Sequence, residues 1–224
     1  MLVGLKTDAH PARSQAERAY WLLVNEIISL ELPPGQLLHD KELTAKFGIG
    51  RTPVREALQR LAGEGLVVHY PHRGIMVAEI NATSTRDVYE FRSLIDGEAA
   101  RLAAIRATKE EASELLKLAE DMKSLADGDD VDAYVETDRA FYHLLGDACR
   151  NVYIAETIPR IFNLHLRLWF YISKMRGDWK QVGKAHSAMA SKMAKSISRG
   201  DQEAAEKAVH AYVAQRQKDM RELM

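Results

Sequence analysis

The feature that most constrains this chain is an abrupt change in the spacing of its helix breakers near residue 81. Between residues 14 and 79, Pro33, Pro34, Gly35, Gly48, Gly50, Pro53, Gly63, Gly65, Pro71 and Gly74 cut the sequence into short pieces. Beyond that point only Gly97, Gly128, Pro159 and a few others interrupt it. An interior Pro removes a backbone donor and Gly is a poor helix former, so the first part is restricted to small elements while the second is free to form long helices. Two domains are expected, 1–80 and 85–224, joined by a linker at 81–84. A length of 224 residues is ample for two cores.

In the first part, 14–30 reads as a helix with Tyr20, Leu23, Val24, Ile27 and Ile28 on its apolar face, stopped by ELPPG. A short helix from Asp40 to Phe47, a GIG turn and a helix from about Thr52 to Ala62 follow. In that last helix Val54, Ala57, Leu58 and Leu61 share one face, with Arg51, Thr52, Arg55 and Gln59 towards the other. GLVVHY and GIMVAEI, joined by PHR, then read as a β-hairpin. Helix, helix, turn, helix, hairpin is the order of a winged helix-turn-helix.

The second part reads as helices at about 84–104, 108–126, 130–149, 151–176, 180–199 and 201–222. Ser84 is expected to cap the first, and Val88, Phe91, Leu94, Ile95, Leu102 and Ala103 are expected to form its buried face. DGDD at 127–130 breaks one helix pair, and RGD at 199–201 supplies a Gly stop and an Asp start. The fold class is therefore mainly α: a winged helix-turn-helix with a small hairpin wing, then an all-α, six- to seven-helix antiparallel bundle.

Composition narrows the function classes. With 46% hydrophobic and 28% charged residues the chain is of ordinary globular type, not disordered, collagenous or disulfide-built. No apolar run reaches the ~20 residues of a membrane span. The opening MLVGLKTDAHPARSQ lacks the basic-then-apolar order of a secretory signal, and Cys149 is the single cysteine, so a cytoplasmic place with no membrane partner is expected. A formal charge of −1 neither demands nor forbids a polyanionic partner, so a nucleic-acid reading rests on residue placement.

That placement fits DNA. Arg51 and Arg55, four apart, project from one helix face at its N-terminal end, where the planar guanidinium fork matches guanine O6 and N7; Thr52 suits phosphate or a base edge. Arg73 at the hairpin tip suits a phosphate or minor-groove contact, and Lys41 and Lys46 suit flanking phosphates. Taken alone, two arginines more often merely solvate an exposed face; the order of elements and the turn chemistry are what favour DNA.

The residues LPPGQLLHDKELTAKFGIGRTPVREALQRLAGEGLVVHYPHRGIMV closely resemble the DNA-binding domain of the GntR family of bacterial transcription regulators, through the LxPG turn, the RTPVREAL helix and the RG wing tip. The resemblance implies that Arg51, Thr52 and Arg55 read or anchor DNA and that Arg73 and Gly74 form the wing. Gly50 stands where the family usually has Ser or Thr, a departure that removes a helix cap or a phosphate contact. The second part resembles the FCD effector domain of the FadR subfamily, through VYEFRSLIDGEAARLAA, DRAF with Asn151 downstream, and MAKSISRGDQEAAEKAV.

Many such domains hold a divalent metal through an Asp, a His four residues later and two further His, aided by an Arg of the first helix. Here Asp138 is present, but Tyr142, Ala190 and Tyr212 stand at the three His positions, and His143 is turned by about 100° from Asp138. The resemblance therefore implies a metal-free pocket of Arg92, Asp138, Tyr142, Ala190, Tyr212 and His186, with Arg92 clamping a small carboxylate and no cofactor. A variant of this reading restores a metal through Asp138 and His186; its structural alternative pairs Arg92 with Asp138 or Asp96 and buries the tyrosines as core. The expected protein is not an enzyme but a ligand-responsive repressor, a homodimer on two-fold related operator half-sites. The rival of another class, a helical-domain enzyme carried by a DNA-targeting head, lacks a positioned nucleophile and base: Cys149 has no oxyanion motif beside it, and Asp127, Asp129 and Asp130 lack the remaining ligands of a Ca²⁺ loop.

Overall fold

The computed structural model describes residues 14–223; the reading of the opening segment as devoid of a signal falls largely on residues outside that range. The chain divides into two compact units, one of residues 14–80 with 166–170, the other of 81–165 with 171–223.

The first unit begins with α1 (Gln15–Ile28), which starts where the Ser14 hydroxyl accepts a hydrogen bond from the Glu17 amide. After the turn at 33–36 comes β1 (Leu37–Leu38), then α2 (Asp40–Phe47), closed by Gly48, and α3 (Arg51–Glu64). β2 (Val67–Tyr70) and β3 (Gly74–Val77) form the expected hairpin, and β1 adds a third antiparallel strand in the order β1-β3-β2. No period reveals a two-residue strand; Leu37 and Leu38 enter the sheet because they meet Met76 and Ile75 across β3. Leu23, Val24, Ile27, Leu58 and Leu61 are wholly buried where α1 packs on α3. Each such side chain contributes roughly 1.5–3 kcal/mol by leaving water. Arg60 stacks on the Tyr20 ring at 3.6 Å, and Glu64 accepts from the Tyr20 hydroxyl at 2.8 Å, which ties the two helices at their polar edge.

The second unit holds α4 (Ala82–Arg106), α5 (Lys109–Leu125), α6 (Val131–Ala148), α7 (Val152–Arg176), α8 (Trp179–Ser198) and α9 (Gln202–Leu223). The expected breaks hold: Asp130 caps α6, Gly200 adopts a positive φ of 71°, and the Asp201 carboxylate accepts from the Ala204 amide. α4 packs chiefly on α9, and α8 on both α5 and α9.

Two expectations about α4 are corrected. Asn81, not Ser84, is its N-cap; Ser84 is the third helical residue and returns its hydroxyl to the Asn81 amide, a reciprocal capping box. The stretch read as a linker is thus largely the start of a helix. The buried face is also not the apolar stripe: Thr85, Tyr89, Arg92, Asp96, Ala99, Ala100 and Ala103 point inward, while Phe91 and Leu94 are 40% and 69% exposed. Leu102 and Ala103 are buried as expected. The inversion has a physical cause. Gly97 lets α9 approach closely, since a Cβ there would meet His210 Nε2 at 2.9 Å, and small residues seat α4 so that Arg92 and Asp96 become buried while satisfying one another.

A candidate DNA interface and a buried polar cluster

In the first unit, α3 presents Arg51, Thr52 and Arg55, all exposed, from its first two turns, while Val54, Ala57, Leu58 and Leu61 anchor its other side. Arg55 Nε lies 2.5 Å from Asp40 on α2. That pair is solvent-exposed, with the Arg55 side chain 67% accessible, so it is weak and exchangeable for a DNA acceptor. Lys41 is exposed on α2, and Lys46 is paired with Glu26 at 2.6 Å. Gly50 caps α3 without a side-chain hydrogen bond, as the departure from the family pattern implies. At the wing tip Arg73 is exposed beside Gly74, whose φ of 92° a side chain would resist and where a Cβ would press on Leu37 at 3.3 Å. The six residues expected at the DNA surface thus lie on one unit, three of them on a single helix end.

In the second unit α4, α6, α8 and α9 bring together Arg92, Asp138, Tyr142, His186, Ala190 and Tyr212, all buried. Arg92 Nε donates to Asp96 Oδ2 at 2.5 Å, and Arg92 Nη2 donates to the Tyr142 hydroxyl. Asp96, one turn along α4, and Tyr142 thus meet two of the three guanidinium nitrogens, as the structural alternative had it for Asp96. Burial lowers the affinity of Arg92 for its proton, but Asp96, Tyr142, Tyr212 and Asp138 together more than offset this and keep the group charged. Burial pushes Asp96 upward, opposed by Arg92, and pushes Tyr212 up to about 12.

Asp138 Oδ1 and His186 Nε2 stand 3.3 Å apart. The His186 ring stacks obliquely on Tyr212 at 5.1 Å, with Nδ1 3.4 Å from the Tyr212 hydroxyl. His165 of α7 lies 5.3 Å from His186, ring to ring, and 6.0 Å from Tyr89. Burial, with the nearby charges of Arg92, His186 and Arg216, holds His165 well below its ordinary range, so it is neutral in the folded unit. Sequence reasoning placed neither Tyr89 nor His165 in the pocket. For Tyr89 a signal existed, three residues before Arg92 on one helix face.

Four polar atoms of this cluster form no hydrogen bond: Tyr89 Oη, Arg92 Nη1, Asp138 Oδ1 and His186 Nε2. Burying such atoms unsatisfied costs about 1–3 kcal/mol each, so their concentration in one core needs an explanation. Among the described residues no three His, Cys, Asp or Glu side chains gather as a metal site requires, and Asp138 with His186 furnish two donors only. His143 and His210 lie exposed, away from the cluster. Arg139, the residue after Asp138, is half-buried: it donates to Asn163 Oδ1 at 3.2 Å and stacks on Phe162. Cys149 is buried, and burial raises its thiol, which suits an inert side chain. Asp127 and Asp129 pair with Lys184 and Lys180 at the surface.

Comparison with known proteins agrees with this architecture. A family model of the FCD domain matches residues 87–215, and one described as bacterial regulatory proteins, gntR family, matches residues 15–77. The HTH-type transcriptional repressor RspR of Escherichia coli (strain K12) is 29% identical over 141 residues, which are 63% of this chain and 62% of that protein. The probable D-xylose utilization operon transcriptional repressor of Paenarthrobacter nicotinovorans is 29% identical over 193 residues, 86% of this chain and 82% of that one. Among solved structures, E. coli McbR/YncC has the same fold, with a TM-score of 0.74 at 20% identity, covering 91% of this chain and 95% of that one. Because the FCD match alone spans more than half of the chain and the gntR match covers its helix-turn-helix, the chain belongs to the GntR family of DNA-binding transcription regulators, in the group that carries an FCD domain, and not to an enzyme family.

Proposed function

We propose that this regulator is a repressor that leaves its operator when a small organic acid enters the buried cluster of the second unit, binding protein side chains directly rather than through a metal. The observation that carries the reading is the set of unsatisfied atoms on Tyr89, Arg92, Asp138 and His186. Arg92 Nη1 and the Tyr89 hydroxyl are donors left for a carboxylate, while Asp138 Oδ1 and His186 Nε2 face each other at 3.3 Å and offer an acceptor and a ring nitrogen to a polar group of the same molecule. Such a ligand shifts the DNA-binding equilibrium only by the difference in its affinity for the two states. The relatives named as repressors support the direction of control.

In this reading the protein works in the cytoplasm as a homodimer on two-fold related half-sites. The outward stripe of α4 supports self-association: Phe91, Leu94 and Ile105, exposed by 40%, 69% and 53%, line one side of the helix around the Glu98–Arg101 pair. None of the helices described is long and apolar enough to cross a membrane.

Native mass spectrometry of the purified protein, with the metal content of the same sample, tests the assignment. A dimer carrying a small organic acid and no stoichiometric metal is expected, with Arg92→Gln losing the acid while still binding operator DNA. One divalent ion per chain, or acid retained in full by Arg92→Gln, overturns direct binding at this cluster.

A further inference from the structure

A cavity in the same unit, apart from the Arg92 cluster, has a different chemistry. It has a volume of about 340 Å³ and is lined by Ala82, Thr83, Thr85, Arg86 and Glu90 of α4 with Gln217, Met220 and Arg221 of α9. That size lies at the lower end of small-molecule pockets, well above what a bare oxyanion fills. Ala82 and Thr83 are the first two residues of α4, whose amides have no acceptor within the helix; the capping box uses the amides of Asn81 and Ser84 instead. A helix start with free amides attracts negative charge.

A second observation points the same way. Thr85 lines the cavity, is only 3% exposed, and its hydroxyl has no hydrogen-bond partner. Two guanidinium groups flank the site. Arg221 uses Nε on the Gln217 carbonyl at 3.3 Å, which leaves both Nη groups available. Arg86 is engaged by Asp87 at 2.9 Å and lies 3.7 Å from Glu90, but all three side chains are about 60% exposed, and ion pairs so open to water exchange readily for a better acceptor. Met220, 2% exposed, supplies an apolar wall. Glu90 is the one carboxylate lining the cavity, and it disfavours an anion unless Arg86 continues to screen it.

We infer that this cavity binds a small phosphate monoester, with the phosphate at the α4 start between Arg86 and Arg221 and the organic part against Met220. Two arginines and free helix amides suit a dianion better than a single carboxylate does, because each phosphate oxygen finds its own donor. The site would report a second metabolite to the same domain, and it stands or falls separately from the organic-acid reading of the Arg92 cluster.

Phenyl phosphate is the probe, with inorganic phosphate and phenol as its two halves, each titrated calorimetrically into the full-length protein. Phenyl phosphate is expected to bind more tightly than either half. Arg221→Gln is expected to weaken it by about tenfold or more and Thr85→Val by about fivefold, the usual worth of a charged and a neutral hydrogen bond. Arg86→Gln is expected to weaken it as well, while Arg92→Gln leaves it unchanged; circular dichroism confirms that each variant is folded. Absence of binding at about 10 mM, the concentration at which even millimolar affinity shows, overturns the proposal. So does undiminished binding by both Arg86→Gln and Arg221→Gln, or inorganic phosphate binding as tightly as the ester, which would leave a simple anion site.

Discussion

Removing one partner of the buried Arg92–Asp96 pair is expected to damage the second unit far more than removing both. The two side chains are each 2% exposed and meet at 2.5 Å, so neither has water to fall back on. Arg92→Met deletes the charge that balances Asp96 and strips the Tyr142 hydroxyl of its donor. The expected cost is about 3–5 kcal/mol at neutral pH, the usual result of stranding a buried charge. Asp96→Asn is expected to cost a similar amount, since Arg92 then loses its counter-ion. The double variant Arg92→Met/Asp96→Leu replaces both charges with apolar atoms and is expected to recover most of the loss. A pH signature accompanies the single variant. Burial already raises Asp96, and without Arg92 it rises further. A raised carboxylate lets the folded state hold more protons than the unfolded one, so the penalty of Arg92→Met is smallest in acid and grows as pH rises through the folded value. Urea unfolding followed by circular dichroism between pH 5 and pH 8 reads all of this. Single variants that cost under about 1 kcal/mol, or a double variant whose cost is the sum of the two, would refute the claim that this pair is a buried, mutually dependent unit.

Three further outcomes are expected. Arg55→Ala should lower affinity for specific DNA by about 10- to 100-fold, the worth of a bidentate base contact, while leaving the unfolding midpoint nearly unchanged because it breaks only an ion pair whose Arg55 side chain is 67% exposed; equal affinity in a fluorescence-anisotropy titration removes it from the interface. His165 is held neutral by burial, so the unfolded chain takes up a proton near its ordinary value while the folded unit does not. Stability should therefore be full above about pH 6.5 and fall on acidification by at most about 1.4 kcal/mol per pH unit, and His165→Gln should flatten that slope. Gly50→Ser should stabilise the first unit by about 0.5–1 kcal/mol, because Gly50 has the extended backbone of an N-cap and space for a Cβ, 3.7 Å from Pro53; an unchanged midpoint in thermal unfolding would show the new hydroxyl failing to cap.

Much of the fold was legible because it rests on local chemistry. The Pro and Gly residues between 33 and 74, the RGD turn and the apolar repeats of α1 and α3 act within a few residues of themselves, so element order and near-boundaries follow from the chain alone. The exposed DNA-facing residues were readable for the same reason: a four-residue spacing puts Arg51 and Arg55 on one face whatever the rest of the molecule does. The buried cluster was only half legible. Arg92, Asp138, Tyr142, His186, Ala190 and Tyr212 were expected on facing helices and are buried there, but whether Arg92 pairs with Asp96 or Asp138 was left open by the sequence.

Periodicity alone assigned the apolar stripe of α4 to the core, and packing reversed it. A helix faces whichever neighbour fits, and Gly97 with the small residues of α4 admits α9 on the polar side, where Arg92, Asp96, Tyr142, His186 and Tyr212 can satisfy one another across three other helices. What the amino-acid order determined by itself was the list of elements, the polar end of α3 and the residue types available to the cluster. Only the tertiary structure decided which side of α4 is inside, that Asp96 and Tyr142 meet the Arg92 guanidinium, and which buried polar atoms make no hydrogen bond, because burial and pairing are properties of distances between segments far apart in the chain.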